Sequence, residues 1–110
     1  MPNGRSDRRR SVPERFRLAQ AAETDLIGLW HFGAERWSPG QADRYEDGLL
    51  ALLDLLSTQP CMARERPDLG TGVRAHAYRS HVVFYRAEKD GIEVLRIAHS
   101  RSDWTDVLGD

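Results

Sequence analysis

The sequence predicts an α+β fold of order β-α-α-β-β-β, an antiparallel sheet carrying an αα-hairpin on one face, with a short C-terminal helical turn. Three observations carry that expectation. Apolar residues recur at helical spacing through residues 20–56 with one break at Ser38-Pro39; three runs rich in β-branched and aromatic residues follow Gly72; and only Arg79-Ser80 separates the first two of those runs. With 110 residues, 40% hydrophobic and 30% charged, the chain has material for one core, placed at residues 16–110.

Residues 1–15 mix arginine, serine, proline and glycine with almost nothing apolar, so a disordered basic arm is expected there: too little surface can be buried to offset the entropy of ordering. Phe16-Arg17-Leu18-Ala19 reads as a short strand with Phe16 and Leu18 on one face. Ala22, Leu26, Leu29, Trp30, Gly33 and Trp37 then form one stripe of a first helix. Ser38-Pro39-Gly40-Gln41 has the make-up of a capping box, with serine as N-cap and proline at the first helical position, and starts a second helix. Its stripe is Ala42, Tyr45, Leu49, Leu52, Leu53 and Leu56, and Gln59-Pro60 stops it. So short a connection makes the two helices antiparallel.

Residues 60–72 contain two prolines and two glycines without periodicity and read as a long loop. Strands are expected over Val73–Tyr78, His81–Ala87 and Ile92–His99, with Asp90-Gly91 as the second turn signal. In the first of them Val73, Ala75 and Ala77 alternate with Arg74, His76 and Tyr78, which assigns the former to the core and the latter to a polar face. Trp104, Val107 and Leu108 fall at helical spacing in the terminal turn.

The net charge of −1 conceals a sorting by segment. Residues 1–19 hold six arginines against Asp7 and Glu14, residues 20–58 hold seven acidic residues against Arg36 and Arg44, and the strand region is basic again. Such a chain is not a general DNA coat, yet it can present one basic face to a specific macromolecule. No apolar run approaches the ~20 residues of a membrane span, nothing resembles a secretory signal, and Cys61 is the single cysteine, so a cytoplasmic protein without disulfides is expected. The histidines lack metal-ligand spacing, and Gly70-x-Gly72 precedes a strand where a phosphate loop would precede a helix; neither metal nor cofactor is expected. Chemistry is concentrated at Arg74, His76, Arg79, His81, Arg86, Arg96, His99 and Arg101, groups suited to metal-free RNA cleavage and equally to holding an acidic peptide.

Taken in order, these residues resemble the ParE branch of the RelE/ParE superfamily, the toxic halves of bacterial type II toxin–antitoxin modules. The resemblance runs from Phe16 to about Leu108. It is carried by Asp25-Leu26 with Trp30, Ala34-Glu35-Arg36-Trp37-Ser38, Ala42-Asp43-Arg44-Tyr45, Gln59-Pro60 and Gly72-Val73-Arg74. Val83-Phe84-Tyr85-Arg86, Ile92 through Ile97, and His99-Ser100-Arg101-Ser102-Asp103-Trp104 complete it.

The resemblance implies a toxin that stabilises the cleavage complex of DNA gyrase, catalyses no reaction itself, and touches DNA only through gyrase or antitoxin. It further implies neutralisation, in a hetero-oligomer, by a ParD-type antitoxin wrapping an extended, partly helical segment around the toxin. Arg96, His99, Arg101, Asp103 and Trp104 are the residues it suggests for target binding; Arg74, Arg79, Trp30 and Tyr45 are chosen for antitoxin binding. Two alternatives remain. In a ribosome-dependent mRNA endonuclease of RelE type, His76, Arg86, Arg96 and His99 would act, although Lys89 is the only lysine where such nucleases use several lysines and arginines. A non-toxic member would only bind its antitoxin.

Overall fold

A computed structural model describes residues 16–109; the arm expected over 1–15 lies outside them. Strand β1 (Phe16–Leu18) leads into helices α1 (Gln20–Arg36) and α2 (Pro39–Thr58). Strands β2 (Arg74–Tyr78), β3 (His81–Glu88) and β4 (Gly91–His99) follow, and α3 (Trp104–Leu108) closes the chain. The sheet order is β1-β4-β3-β2. Strands β2, β3 and β4 form the expected antiparallel meander, whereas β1 joins β4 in parallel, Phe16 opposite Ile92 and Leu18 opposite Val94.

The parallel pair follows from the helical hairpin. Helix α1 climbs alongside β4, from Ala19 bonded to the Val94 carbonyl to Asp25 at Ile97. Helix α2 descends from Tyr45, beside His81, to the Pro60 carbonyl, which accepts a bond from Tyr85. The chain thus returns to the end at which β1 began, and β2 must run in the direction of β1. Two antiparallel steps later β4 runs that way as well, so β1 can only lie parallel to it.

The corner between the helices is built as its sequence implies. Ser38 has extended backbone, its Oγ accepts a bond from the Gln41 amide, and Pro39 opens α2. Helix α1 stops at Arg36, however, and Trp37 stands outside it, 60% exposed, instead of ending the buried stripe. The stripe that is buried is Ala22, Leu26 and Gly33. At Gly33 the helices come close: an added Cβ would sit 3.4 Å from that of Ala42, which is why the crossing uses two of the smallest residues.

Both faces of the sheet are covered. Ala22, Leu26, Leu49, Leu53 and Leu56 of the helices pack on Val83, Tyr85, Ile92, Val94 and Ile97. On the other face Val73, Val82, Phe84 and Ala98 form a second cluster with Leu69, Ala75, Leu95, Trp104, Val107 and Leu108. Val94 and Ile97 are three residues apart yet share the helical face, which an unbroken strand would forbid. The register shift between Phe84 and Tyr85, where Val94 and Arg96 are successive partners, inserts Leu95 as an extra residue and re-phases the strand.

This double cover corrects the reading of β2. Arg74, His76 and Tyr78 stand opposite Tyr85, Val83 and His81, so they share the helical side of the sheet. Val73 and Ala75 do pack in a core, but in the one on the far side. Residues 60–72 are likewise more ordered than a plain loop. They include a 3-10 turn at Pro60–Met62 and an isolated bridge from Glu65 to Arg74, and the Arg74 guanidinium donates to the Ala63 carbonyl. In the second hairpin the two turn residues are Lys89 and Asp90; Gly91 already pairs with Glu88.

Candidate functional site

At the end of the sheet where β2 gives way to β3, the helical corner leaves a pocket of about 350 Å³ open to solvent. Leu29, Phe32, Gly33, Trp37, Gln41, Ala42 and Tyr45 come from the helices and the corner. Arg79, Ser80, His81 and His99 come from the sheet. The helices supply the apolar wall: Gly33 and Ala42 are buried at the crossing, Leu29 is half-buried, and Phe32 and Trp37 stand exposed beside them.

The polar wall is a connected cluster. Tyr45 Oη lies 2.8 Å from His81 Nδ1 and 3.3 Å from both the Tyr78 carbonyl, to which it donates, and the Ser80 amide, from which it accepts. His81 and His99 are cross-strand partners with ring centroids 5.5 Å apart at an edge-on angle. His99 Nδ1 accepts the Arg101 amide, which leaves its proton on Nε2 in the neutral ring. Burial pushes the His81 imidazole below its ordinary value, and the neighbouring His99 pushes the same way. Burial also raises the Tyr45 phenol, so both groups are held neutral at pH 7.

Arg79 sits at the mouth in the left-handed region, φ 52°, its guanidinium 5.7 Å from the centre of the Tyr78 ring. The two-residue turn imposes that conformation, which costs a non-glycine residue roughly 1–2 kcal/mol. From the helical side, Phe32 and Trp37 meet edge to face at 6.3 Å, with Arg36 lying over both rings. Phe32 and Trp37 are 58% and 60% exposed, an aromatic lip held in place but not buried.

The structure distributes the sequence-predicted residues unevenly. Of the antitoxin set, Tyr45 and Arg79 line the pocket. Trp30 instead ties the helices together by donating to Asp43, and Arg74 lies at the opposite end of β2, holding the loop at Ala63. Of the target set, only His99 enters the pocket, with Arg101 exposed beside it. Asp103 caps α3, accepting from Thr105 and Asp106, and those bonds hold its carboxyl below the usual range. Trp104 packs edge-on against Phe84 in the far core.

Arg96 has an architectural post. Its guanidinium makes two bonds to Asp25, at 2.7 and 2.9 Å, and one to the Val107 carbonyl, tying α1, β4 and α3 together. The nuclease set is not gathered into one place. Arg86 leaves the opposite face of the sheet from Tyr85 and donates to Thr71, Arg96 is turned to Asp25, and His76 and His99 lie on strands separated by β3. Sequence reading counted His81 among the chemistry-bearing groups of the strand region but in no binding set, and passed over Leu29, Phe32 and Trp37 as parts of a site. The only available signal was the placement of His81 directly after the Arg79-Ser80 turn, which makes it a cross-strand neighbour of Tyr78. Among the described residues no group of three or more His, Cys, Asp or Glu could hold a metal ion, and no helix is long and apolar enough to cross a membrane.

Comparison with known proteins places this architecture in a family. Residues 16–104 match the family model described as the ParE toxin of the type II toxin–antitoxin system parDE. The chain is 34% identical to Toxin ParE1 of Caulobacter vibrioides over 84 residues, 76% of this chain and 86% of that one. It is 32% identical to Toxin ParE1 of Mycobacterium tuberculosis over 93 residues, 84% and 95% of the two chains. Among solved structures, one titled as the chromosomal ParDE system from P. aeruginosa superposes with a TM-score of 0.66 at 19% identity, covering 76% of this chain and 92% of that one. The match spans β1, the helical hairpin and the whole meander, and with it the corner pocket: the chain belongs to the ParE toxin family of type II toxin–antitoxin systems.

Proposed function

We propose that this chain arrests growth by poisoning DNA gyrase in the cytoplasm, stabilising the gyrase–DNA cleavage complex, and that a ParD-type antitoxin neutralises it in a hetero-oligomer. The observation that carries this reading is the family match across residues 16–104, nearly the whole described fold. The scattering of His76, Arg86, Arg96 and His99 supports a binding mode of action over ribonuclease chemistry, since acid, base and phosphate-binding groups must converge on one scissile bond. For gyrase we assign the exposed groups at the pocket end, His99 and Arg101, with Arg96, Asp103 and Trp104 holding the segment that carries them. For the antitoxin we assign the surface from Tyr45 and Arg79 along the helical hairpin, with Trp30 and Arg74 keeping its ends in shape.

The test is incubation of the purified protein with gyrase, ATP and supercoiled plasmid, followed by detergent and protease. Linear DNA that requires both proteins and disappears when antitoxin is added is the expected result. Growth arrest without linear DNA, accompanied by cleavage of translated mRNA, would replace gyrase by the ribosome. Expression without antitoxin that leaves growth unaffected would make this chain a non-toxic antitoxin-binding member.

A further inference from the structure

The corner pocket has a shape and a charge pattern that specify its occupant more narrowly than an antitoxin surface in general. Its wall from Leu29, Gly33 and Ala42 is apolar, and the aromatic lip of Phe32 and Trp37 stands largely in solvent. About 350 Å³ is room for one or two bulky side chains and not for a whole helix. The lip is already set before anything binds: the Phe32 and Trp37 rings meet edge to face and Arg36 stacks over both, so little side-chain freedom remains to be lost.

The fixed charge in the pocket lining is positive. Arg79 lines the pocket, Arg36 lies just outside the lining over the Phe32 and Trp37 rings, and neither aspartate nor glutamate is among the pocket-lining residues, although the helices that form it are rich in both. The imidazoles of His81 and His99 and the Tyr45 hydroxyl occupy the polar wall and are engaged with one another or with backbone. A partner therefore meets an apolar socket with one arginine in its lining and a second against its aromatic lip.

We propose that the corner pocket is an anchor socket for one bulky aliphatic or aromatic side chain of the antitoxin, carried on an acidic segment whose carboxylates reach Arg36 and Arg79. The proposal rests on the reading that an antitoxin binds this chain, and adds which side chains of the toxin receive it and what they require. Phe32 and Trp37 grip the anchor, and a buried aromatic contact of this kind is where binding energy concentrates. Arg36 and Arg79 orient the segment, and because both are exposed their contribution weakens as salt is added.

Titration calorimetry with the full-length ParD-type antitoxin tests this on the intact toxin. Wild-type toxin is compared with the double variant Phe32→Ala/Trp37→Ala and with Arg36→Glu/Arg79→Glu, each checked for a native circular dichroism spectrum. All four side chains are exposed, so folding is retained. The lip variant is expected to bind at least 30-fold more weakly at every salt concentration. The charge-reversal variant is expected to lose at least tenfold at low salt and to approach wild type at 0.5 M salt. Wild-type binding with an unchanged lip variant overturns the socket while leaving the antitoxin reading intact. No binding by wild type removes the antitoxin reading and the socket with it.

Discussion

Asp25 is the residue whose loss the fold should feel most for its size. Strand β1 ends at Leu18, opposite Val94, so among the described residues the outer edge of β4 has no neighbouring strand beyond that point. Asp25 takes the place of one. Its carboxylate accepts the Ile97 amide at 2.9 Å and two bonds from the Arg96 guanidinium, with side-chain exposures of 14% for Asp25 and 32% for Arg96. In Asp25→Ala the Ile97 N–H is left without its acceptor inside the α1–β4 contact, worth about 1–3 kcal/mol. The Arg96 charge also loses its partner; a fully buried pair would cost about 3–5 kcal/mol to break, and partial exposure reduces that to roughly 1 kcal/mol. The sum is about 2–4 kcal/mol, which for a domain of this size lowers Tm by roughly 10–20 °C. Asp25→Asn keeps an acceptor for Ile97 and should lose about half as much. Urea unfolding followed by circular dichroism measures both, with an unchanged m-value showing that only stability has moved. An Asp25→Ala variant within 0.5 kcal/mol of wild type would refute the reasoning, since it would mean that water satisfies the edge as well as the carboxylate does.

Other outcomes follow from the pocket end. Arg79→Gly removes the left-handed strain and should raise stability by about 1 kcal/mol in the same denaturation assay, while weakening antitoxin binding, a separation of stability from function at one residue. Gly48→Ala places a Cβ in collision with the Tyr78 hydroxyl; despite the better helix propensity of alanine, it should lower stability by about 1–2 kcal/mol and disturb the Tyr45–His81 contact. His81 is depressed below 6.5 in the folded chain, so the unfolded chain takes up its proton first as pH falls. Stability is therefore undiminished by His81 above pH 6.5 and declines through the window below it; His81→Gln should flatten that part of a Tm-against-pH profile, and an unchanged slope would assign it to other groups.

The Asp25 bridge also shows where local pattern stops being informative. The strands, the helices and the corner are legible because each depends on neighbours in sequence: alternation for β3, the Ser38-Pro39 cap for α2, helical spacing for Leu49, Leu53 and Leu56. The choice of faces in β2 is not, because alternation says only that two faces differ. Here both are covered, and Arg74, His76 and Tyr78 can lie beside the helices by burying stems and rings, with the Arg74 guanidinium and the His76 ring finding backbone carbonyls. Arg96 misleads for a related reason. A charged residue in an apolar strand signals a special role, but whether its partner is within the chain depends on Asp25, 71 residues away.

What the sequence by itself determined is the inventory of elements, their order, the antiparallel meander and the family, all properties written in short-range periodicity and in residues recognisable one by one. What only the tertiary structure decided is the parallel seat of β1, the sheet's second covered face, the bulge at Leu95 that re-phases β4, and the pocket that joins His81 and His99 to Phe32, Trp37 and Tyr45. The physical reason is common to all four. Each depends on which surfaces meet after the hairpin has folded back over the sheet, and residues that far apart in the chain carry no local trace of the contact they will make.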